Sequence, residues 1–290
     1  MEKKENFLDY CRYMRGHSEE TLKTYNFVFT KFESFVSGKD DWVTTQNIVD
    51  YLMSLKKDNL AIATINLHRA ALMSYFRWCC QFAGLKNNPV AIVAPLKNPP
   101  KMLGTISEQE MNEIISNMKE ETITEVRDKL IVTILYHCGL RVAELQKLTF
   151  QDVDLPNQTF IVHGKGNKDR IVPFSDLVRQ LLEEFKIMRD SFDYINYKNY
   201  CKSLISNTDD LQPLDTAQIR YIVKKHLLPF VRPDKAHPHA LRHAYATTLL
   251  SHGMGIESIA KLMGHSSIAT TMVYLSFSME KIHNLYNKIF

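Results

Sequence analysis

Residues 235–243 read KAHPHALRH and open a window, from Lys235 to Ile256, that contains no aspartate or glutamate. Seven of the eleven histidines of the chain follow residue 225, so the basic character of this region is a local feature. Guanidinium and imidazole groups without neighbouring carboxylates are typical of a site for an oxyanion. We therefore expect an anion site here, and its candidate side chains are Lys235, His237, His239, Arg242, His243 and His252.

Pro238 predicts where a helix begins inside this window, because proline is well tolerated at the first helical position. His239 and Arg242 are three residues apart, so they share one face near the positive end of the helix dipole. An oxyanion at that end would receive hydrogen bonds from both side chains and from the backbone. The alternative is that His239 and His243 are ordinary helix histidines whose hydrogen bonds are made by neighbouring groups.

Metal binding is the competing interpretation of the histidines, because His237, His239 and His243 have the spacing of metal ligands. Arg242 would repel a divalent cation, and the window offers no carboxylate as a ligand or general base. The five cysteines contain no C-x-x-C pair and read as free thiols. We therefore expect no metal and no cofactor.

Length and composition restrict the class of protein. The 290 residues fit two domains, and 45% apolar with 23% charged residues is typical of a folded, water-soluble chain. No apolar run approaches the roughly 20 residues that span a bilayer, and the polar N-terminus lacks the apolar core of a signal peptide. We expect a cytoplasmic protein without membrane contact. The net charge of +4 permits a nucleic-acid partner but does not require one.

Helical periodicity in residues 8–37, 43–55 and 61–83 is followed by clustered prolines and glycines at 84–105. This pattern predicts a small helical domain over residues 1–97 and a larger domain over residues 98–290. In the larger domain we expect a helix that begins with a Ser107–Glu110 capping box. We expect a second helix from about Glu125 to Cys138 that stops at Gly139. A hairpin of strands 159–163 and 170–173 follows, and then helices at about 215–228, 238–252, 256–263 and 267–289.

Further motifs lie before and after the basic window in the sequence. HALRH at 239–243 is followed by MGHS at 263–266 and by Tyr274, nine residues after His265. GLRVAEL at 139–145 and GKGNK at 164–168 precede them. In this order and spacing the motifs resemble those of the tyrosine site-specific recombinases of the phage integrase family, most of all the small Xer-type recombinases.

The resemblance extends into the N-terminal half through TLKTY at 21–25, TIN at 64–66 and NP at 88–89. It implies a mainly α fold with two parts. An N-terminal four-helix, SAM-like core-binding domain precedes a mixed, mostly helical catalytic domain with a small β-hairpin. The departures are Met263 in place of the common leucine and Leu275-Ser276 in place of a frequent Thr-His after the tyrosine.

The chemistry that the resemblance implies is DNA strand breakage and rejoining through a 3′-phosphotyrosyl intermediate, without metal or ATP. Arg141, Arg242 and His265 would stabilise the charge on the phosphate. Lys165 would protonate the leaving 5′-oxygen, and His239 would act as general base or proton shuttle. Glu144 would orient the site, although an i,i+3 surface ion pair is its plain alternative. The implied catalytic set is Arg141, Lys165, His239, Arg242, His265 and the nucleophile Tyr274.

The implied partner is a double-stranded DNA recombination site, held between the two domains, within a homo- or hetero-tetramer. Lys23 and Arg69 match positions where the helices of the family approach DNA. Lys168 and Arg170 flank the hairpin turn and would contact the DNA backbone, or else form a solvated hairpin tip. The apolar stripe after Tyr274 predicts a C-terminal helix that docks on a neighbouring protomer, with packing on its own domain as the alternative.

Three other functions stay open at this point. A type IB topoisomerase-like enzyme would share the chemistry without exchanging partners. A non-catalytic DNA-binding regulator would keep the scaffold, although the intact catalytic set argues against it. A metallohydrolase would use the histidine cluster and would lose its activity in a chelator.

Overall fold

The structure is a computed structural model, and it describes residues 3–39, 41–97, 105–164, 169–193, 202–208 and 212–264, with the backbone alone at residues 192 and 193. The chain forms two compact units, Met1–Lys101 and Met102–Phe290. The boundary that the sequence predicts between residues 97 and 98 stays a prediction, because residues 98–104 lie outside the described residues.

The first unit is helical throughout its regular structure. Ser18 and Thr44 cap the second and third helices, since each side chain accepts a hydrogen bond from a backbone N–H three residues later. Phe29 and Phe32 of the second helix are fully buried. The helices are α1 (Lys4–Asp9), continued by a π-helical turn (Tyr10–Met14), then α2 (Glu19–Val36), α3 (Thr45–Lys57) and α4 (Ile62–Phe82).

The second unit combines helices with a small sheet. Its helices are α5 (Glu108–Asn117), α6 (Ile123–His137), α7 (Val142–Lys147), α8 (Asp176–Asp193), α9 (Thr216–Leu227), α10 (Pro238–Ser251) and α11 (Ile256–Met263). A 3₁₀ turn (Phe150–Asp152) leads into the strands β1 (Val153–Asp154), β2 (Thr159–Val162) and β3 (Arg170–Pro173). The mainly α fold class with a small β element is confirmed. Helices α7 and α8 and strand β1 are additions that the sequence analysis missed.

Helix α6 is the centre of the second unit. Every residue from Val126 to Tyr136 is buried, which is expected of a helix surrounded by other elements, and α8, α9 and α10 pack around it. The helix ends at His137, and the φ of +60° at Gly139, two residues later, allows the chain to turn sharply. Arg141 therefore follows directly after a rigid, fully packed element.

The sheet is antiparallel in the order β1-β2-β3. Phe160 pairs with Val172, and both side chains are buried, whereas the neighbouring pair of Ile161 and Ile171 is exposed. The register places Val162 opposite Arg170. The GKGNK turn thus joins two strands as predicted, although residues 165–168 themselves lie outside the described residues.

No helix within the described ranges is long and apolar enough to cross a membrane. The helix predicted at 267–289, together with the proposed docking of its apolar stripe, lies outside the described residues.

Gly139→Ala is expected to destabilise the second unit by about 2–4 kcal/mol. An alanine at this position would have a strained positive φ, and its Cβ would overlap the Tyr245 ring. The added atom would lie 2.2 Å from the Tyr245 ring. Denaturant unfolding followed by circular dichroism measures the loss. Trp42 and Trp78, the two tryptophans of the chain, lie in the first unit, so their fluorescence is an internal reference. Gly255→Ala is the matched control, since its Cβ would meet no atom within 4 Å; equal stability of both variants would contradict the prediction.

Candidate active site

The predicted site residues of GLRVAEL and HALRH lie together in the second unit. Arg141 is the residue before α7, and its side chain is 46% exposed. Arg242 is on α10, and its side chain is only 4% exposed. A single carboxylate, that of Glu144 on α7, lies between them. The structure therefore brings together three residues that the sequence places up to 101 positions apart (242 − 141 = 101).

Glu144 organises the arginines. One of its oxygens accepts from Arg141 Nη1 at 2.7 Å, and the other accepts from the Arg141 backbone N–H at 2.8 Å. Arg242 Nη1 lies 3.9 Å from the same carboxylate. Burial alone raises the pKa of Glu144, but the hydrogen bonds and charges of Arg170 and Arg141 outweigh it and lower the pKa to about 2. Glu144 is thus a buried, ionised group and not the surface ion pair of the alternative interpretation.

Arg242 is fixed by two backbone carbonyls. Its Nη1 donates to Gly139 O, where α6 has just ended, and its Nη2 donates to Met263 O at the end of α11. Both carbonyls belong to turns whose glycines have positive φ, Gly139 and Gly264. The guanidinium is therefore held in place by two helix ends before any ligand arrives.

The histidines of the window differ in their roles. His237 caps α10, because its Nδ1 accepts a hydrogen bond from Ala240 N at 3.0 Å. Burial lowers the pKa of His239, and the neighbouring His237, Arg242 and Arg141 lower it further. Burial lowers the pKa of His243 to about 4, with His239 as a second cause. His239 and His243 are therefore mainly neutral imidazoles near pH 7.

A cleft of about 450 Å³ opens between the start of α7, α9 and the start of α10. No acidic residue is among the described residues that line it. Two basic residues of α9, Arg220 and Lys224, line it as well, and the sequence analysis missed both. Their only sequence signal was a basic pair four residues apart on a helix, which is common on any exposed face. The lining consists of Leu140, Arg141, Val142, Ala143, Arg220, Lys224, Ala236, His237, Pro238, His239 and Arg242.

Four predicted site residues, Lys165, Lys168, His265 and Tyr274, lie outside the described residues. Lys23 is exposed on α2, in agreement with an accessible basic side chain. Arg69 is half-buried, and its Nε donates to the carbonyl of Val93.

Arg170 corrects an expectation about the hairpin. Its side chain is only 12% exposed and points inward, where both terminal nitrogens bond to Glu144 at 3.0 and 2.9 Å. The predicted contact with the DNA backbone needs a solvent-facing guanidinium, and a solvated hairpin tip needs the same. In this structure the guanidinium faces Glu144 and not solvent, because the buried carboxylate attracts the arginine away from the surface.

Across the parts of the chain that the structure describes, no three histidine, cysteine, aspartate or glutamate side chains lie close enough to share an ion. His237 and His239 stack with ring centroids 6.4 Å apart, and the nitrogen Nδ1 of His237 is already used as a helix cap.

Comparisons with known proteins point to one family. The profile of the phage integrase family matches residues 105–281, and that of the phage integrase N-terminal SAM-like domain matches residues 4–82. The chain is 28% identical over 290 residues to tyrosine recombinase XerC of Lacticaseibacillus casei (strain BL23), covering 98% of this chain and 97% of that protein. It is 30% identical over 291 residues to tyrosine recombinase XerC of Pediococcus pentosaceus, with coverage of 98% and 96%.

Solved structures share the fold. The crystal structure of XerA recombinase is 26% identical, with 98% of each chain covered and a TM-score of 0.53. The XerH site-specific recombinase bound to palindromic difH substrate is 22% identical, with a TM-score of 0.77 and coverage of 98% of this chain and 84% of that one.

Proposed function

The chain belongs to the phage integrase family of tyrosine recombinases, and from that premise we propose that it cuts and rejoins double-stranded DNA at specific sites through a 3′-phosphotyrosyl intermediate, without metal or ATP. The observation that carries this proposal is the pair Arg141 and Arg242, held by Glu144 at a cleft whose described lining contains no acidic side chain. That arrangement suits a phosphodiester, which presents two anionic oxygens.

The first step that the geometry supports is phosphate binding. Arg242 is anchored to Gly139 O and Met263 O, so its guanidinium does not have to be ordered when DNA binds. Arg141 is more exposed and is oriented by Glu144. Donors that are fixed in advance stabilise the charge that develops on the phosphoryl oxygens in the transition state. Electrostatic stabilisation by the two arginines is thus the main catalytic contribution of the described residues.

The chemical step follows from the family assignment of the remaining residues. The Tyr274 phenolic oxygen attacks the phosphorus and forms the P–O bond, while the bond from phosphorus to the 5′-oxygen breaks. The phenolic proton passes to His239, and Lys165 gives a proton to the leaving 5′-oxygen. His265 donates a hydrogen bond to the phosphate. His239 suits its role because its lowered pKa keeps it neutral.

Rejoining reverses this chemistry. A 5′-hydroxyl of the partner strand attacks the phosphorus of the phosphotyrosine and gives its proton to Lys165. The P–O bond to Tyr274 breaks, and the phenol regains its proton from His239. The energy of the phosphodiester bond is kept in the intermediate, so no ATP is consumed. Exchange of strands in this way needs four active sites, and we propose a homo- or hetero-tetramer on DNA in which the C-terminal helix after Tyr274 docks on a neighbouring protomer.

The DNA partner is supported by the neighbours in structure, since XerH is described as bound to difH substrate and the Tn1549 transposon integrase as in complex with transposon right end DNA. We propose that the 1–97 and 98–290 domains both contact the duplex, with Lys23, Arg69 and Lys168 as backbone contacts. Recombination of DNA in a bacterial relative also fits a cytoplasmic location.

Arg220→Ala combined with Lys224→Ala is expected to weaken DNA binding and to reduce the slope of log affinity against log salt by about 2, because each phosphate contact contributes about 0.9. Both side chains line the cleft beside the catalytic arginines. Fluorescence anisotropy of a labelled duplex at several salt concentrations measures the slope. Arg179→Ala is the control, since this exposed arginine on α8 pairs with Glu183; an unchanged slope in the double variant would place α9 away from DNA.

The test of the proposed function is covalent trapping. A duplex recovered by selection from a randomised library is nicked near the cleavage position, so that the short fragment diffuses away and rejoining stops. The wild-type chain is expected to form a protein–DNA adduct in the presence of EDTA. Strand cleavage that needs a divalent metal and leaves no covalent adduct would favour a metallohydrolase, and relaxation of supercoiled DNA without strand exchange would favour a topoisomerase-like enzyme.

A further inference from the structure

We infer that Arg170 is a positioning residue of the active site: it orients Glu144, and through it Arg141, while holding the end of α11 from which the chain continues to His265 and Tyr274. This inference rests on the proposed function and deepens it. Arg170 itself is expected to touch neither the phosphate nor the DNA, which separates it from Arg141 and Arg242.

The contacts of Arg170 tie three elements together. Arg170 lies on β3, and its Nη1 and Nη2 grip the two oxygens of Glu144 at 3.0 and 2.9 Å. Its Nε donates to Leu262 O, in the last turn of α11, at 2.8 Å. A two-nitrogen grip fixes the plane of a carboxylate, which a single hydrogen bond does not. The carboxylate plane of Glu144 is therefore fixed where it accepts the hydrogen bond from Arg141.

The end of α11 is held by three arginines in succession. Leu262 O accepts from Arg170, Met263 O from Arg242, and Gly264 O from Arg141 at 3.2 Å. The last carbonyls of a helix have no partner within the helix and lie at the negative end of its dipole, so cations are favourable there. Three guanidinium groups therefore fix the backbone at residues 262–264, which include the first two residues of the MGHS motif.

Packing supports a structural place for Arg170 at this corner. A Cβ added at Gly264, whose φ is +63°, would lie 3.0 Å from Arg170 Nη1. The guanidinium thus lies close to Gly264, and a Cβ at that position would require it to shift by a few tenths of an ångström. Gly264 of the MGHS motif and Arg170 of β3 are therefore close neighbours.

The charges around Glu144 suit an anionic ligand. The charged groups that face its carboxylate are Arg141 before α7, Arg170 on β3 and Arg242 on α10. Three positive charges against one negative charge leave two in excess. Arg170 takes up the carboxylate with its two terminal nitrogens, whereas Arg242 lies 3.9 Å away. The cluster therefore keeps a net positive charge beside the cleft that Arg141 and Arg242 line, where a phosphate would bind.

Arg170→Gln tests the inference in single-turnover cleavage of the nicked duplex at saturating protein. We expect cleavage to slow by about 10- to 100-fold, because misplaced catalytic groups lose rate to this degree. DNA affinity, measured by anisotropy, is expected to stay within about threefold, since the side chain is buried away from solvent. Arg170→Lys keeps the charge without the two-nitrogen grip and is expected to be intermediate, and it remains informative if the glutamine variant does not fold.

The pH profile separates positioning from a general loss of structure. Without Arg170 the carboxylate of Glu144 loses a main cause of its low pKa, so its pKa rises. The ratio of variant to wild-type rate is then expected to fall as the pH is lowered, because Glu144 takes up a proton at a higher pH in the variant and releases Arg141. Arg179→Gln, an exposed arginine on α8, is the control with a constant ratio near one.

Three results would overturn the inference. A loss of DNA affinity with normal cleavage at saturation would make Arg170 a DNA contact. Unchanged cleavage would show that Glu144 needs no support, and a ratio independent of pH would show that Arg170 does not act through the carboxylate. Absence of any adduct from the wild-type chain would instead contradict the proposed function, so the two failures are distinguishable.

Discussion

Arg242→Lys is expected to lower the single-turnover rate of DNA strand cleavage by about 100- to 1,000-fold, the usual cost of losing one donor that stabilises transition-state charge. The arginine reaches Gly139 O and Met263 O with two different nitrogens. A lysine has one nitrogen and cannot reach both carbonyls while facing a phosphate. The positive charge is preserved, so the loss of cleavage rate measures the contribution of the hydrogen-bond geometry of the guanidinium.

The measurement is adduct formation on the nicked duplex, with protein in excess over DNA. Arg232→Lys is the matched control, because Arg232 is an exposed arginine of the same unit that pairs with Asp234. It is expected to cleave at the wild-type rate. Wild-type cleavage by Arg242→Lys would mean that the phosphate does not bind at this guanidinium.

Tyr274→Phe is expected to abolish the covalent protein–DNA adduct and to leave DNA affinity unchanged, because only the attacking oxygen is removed. A denaturing gel of the nicked duplex measures the adduct, and anisotropy measures affinity. Tyr221→Phe is the control, since Tyr221 is an exposed tyrosine on α9, the helix that supplies Arg220 and Lys224 to the cleft. Adduct formation by Tyr274→Phe would assign the nucleophile to another residue.

Local sequence signals predicted much of the fold. The capping box of Ser107 and Glu110 is present with both of its hydrogen bonds, and Pro238 occupies the start of α10 as predicted. Gly139 follows the end of α6 with a positive φ. Each of these features is decided by residues within a few positions of one another, which is why periodicity and capping rules are sufficient to find them.

The contacts that build the candidate site were harder to predict. Arg170 and Glu144 are 26 positions apart, and the hairpin pattern around Arg170 suggested a solvent-facing side chain. The inward turn depends on the buried carboxylate, which no local rule reveals. Strand β1 has two residues and α7 has six, so neither is long enough to show a period. Arg220 and Lys224 become meaningful only when α9 packs beside α10.

The most direct test of the central claim is to map the covalent link. The wild-type adduct is formed on the nicked duplex in EDTA, digested with nuclease and trypsin, and examined by mass spectrometry. Cleavage after Lys261 and Lys281 gives a peptide of residues 262–281, in which Tyr274 is the one tyrosine. We expect a nucleotide phosphate on Tyr274 in that peptide. A nucleotide on any other peptide, or an adduct that forms only with added metal, would contradict it.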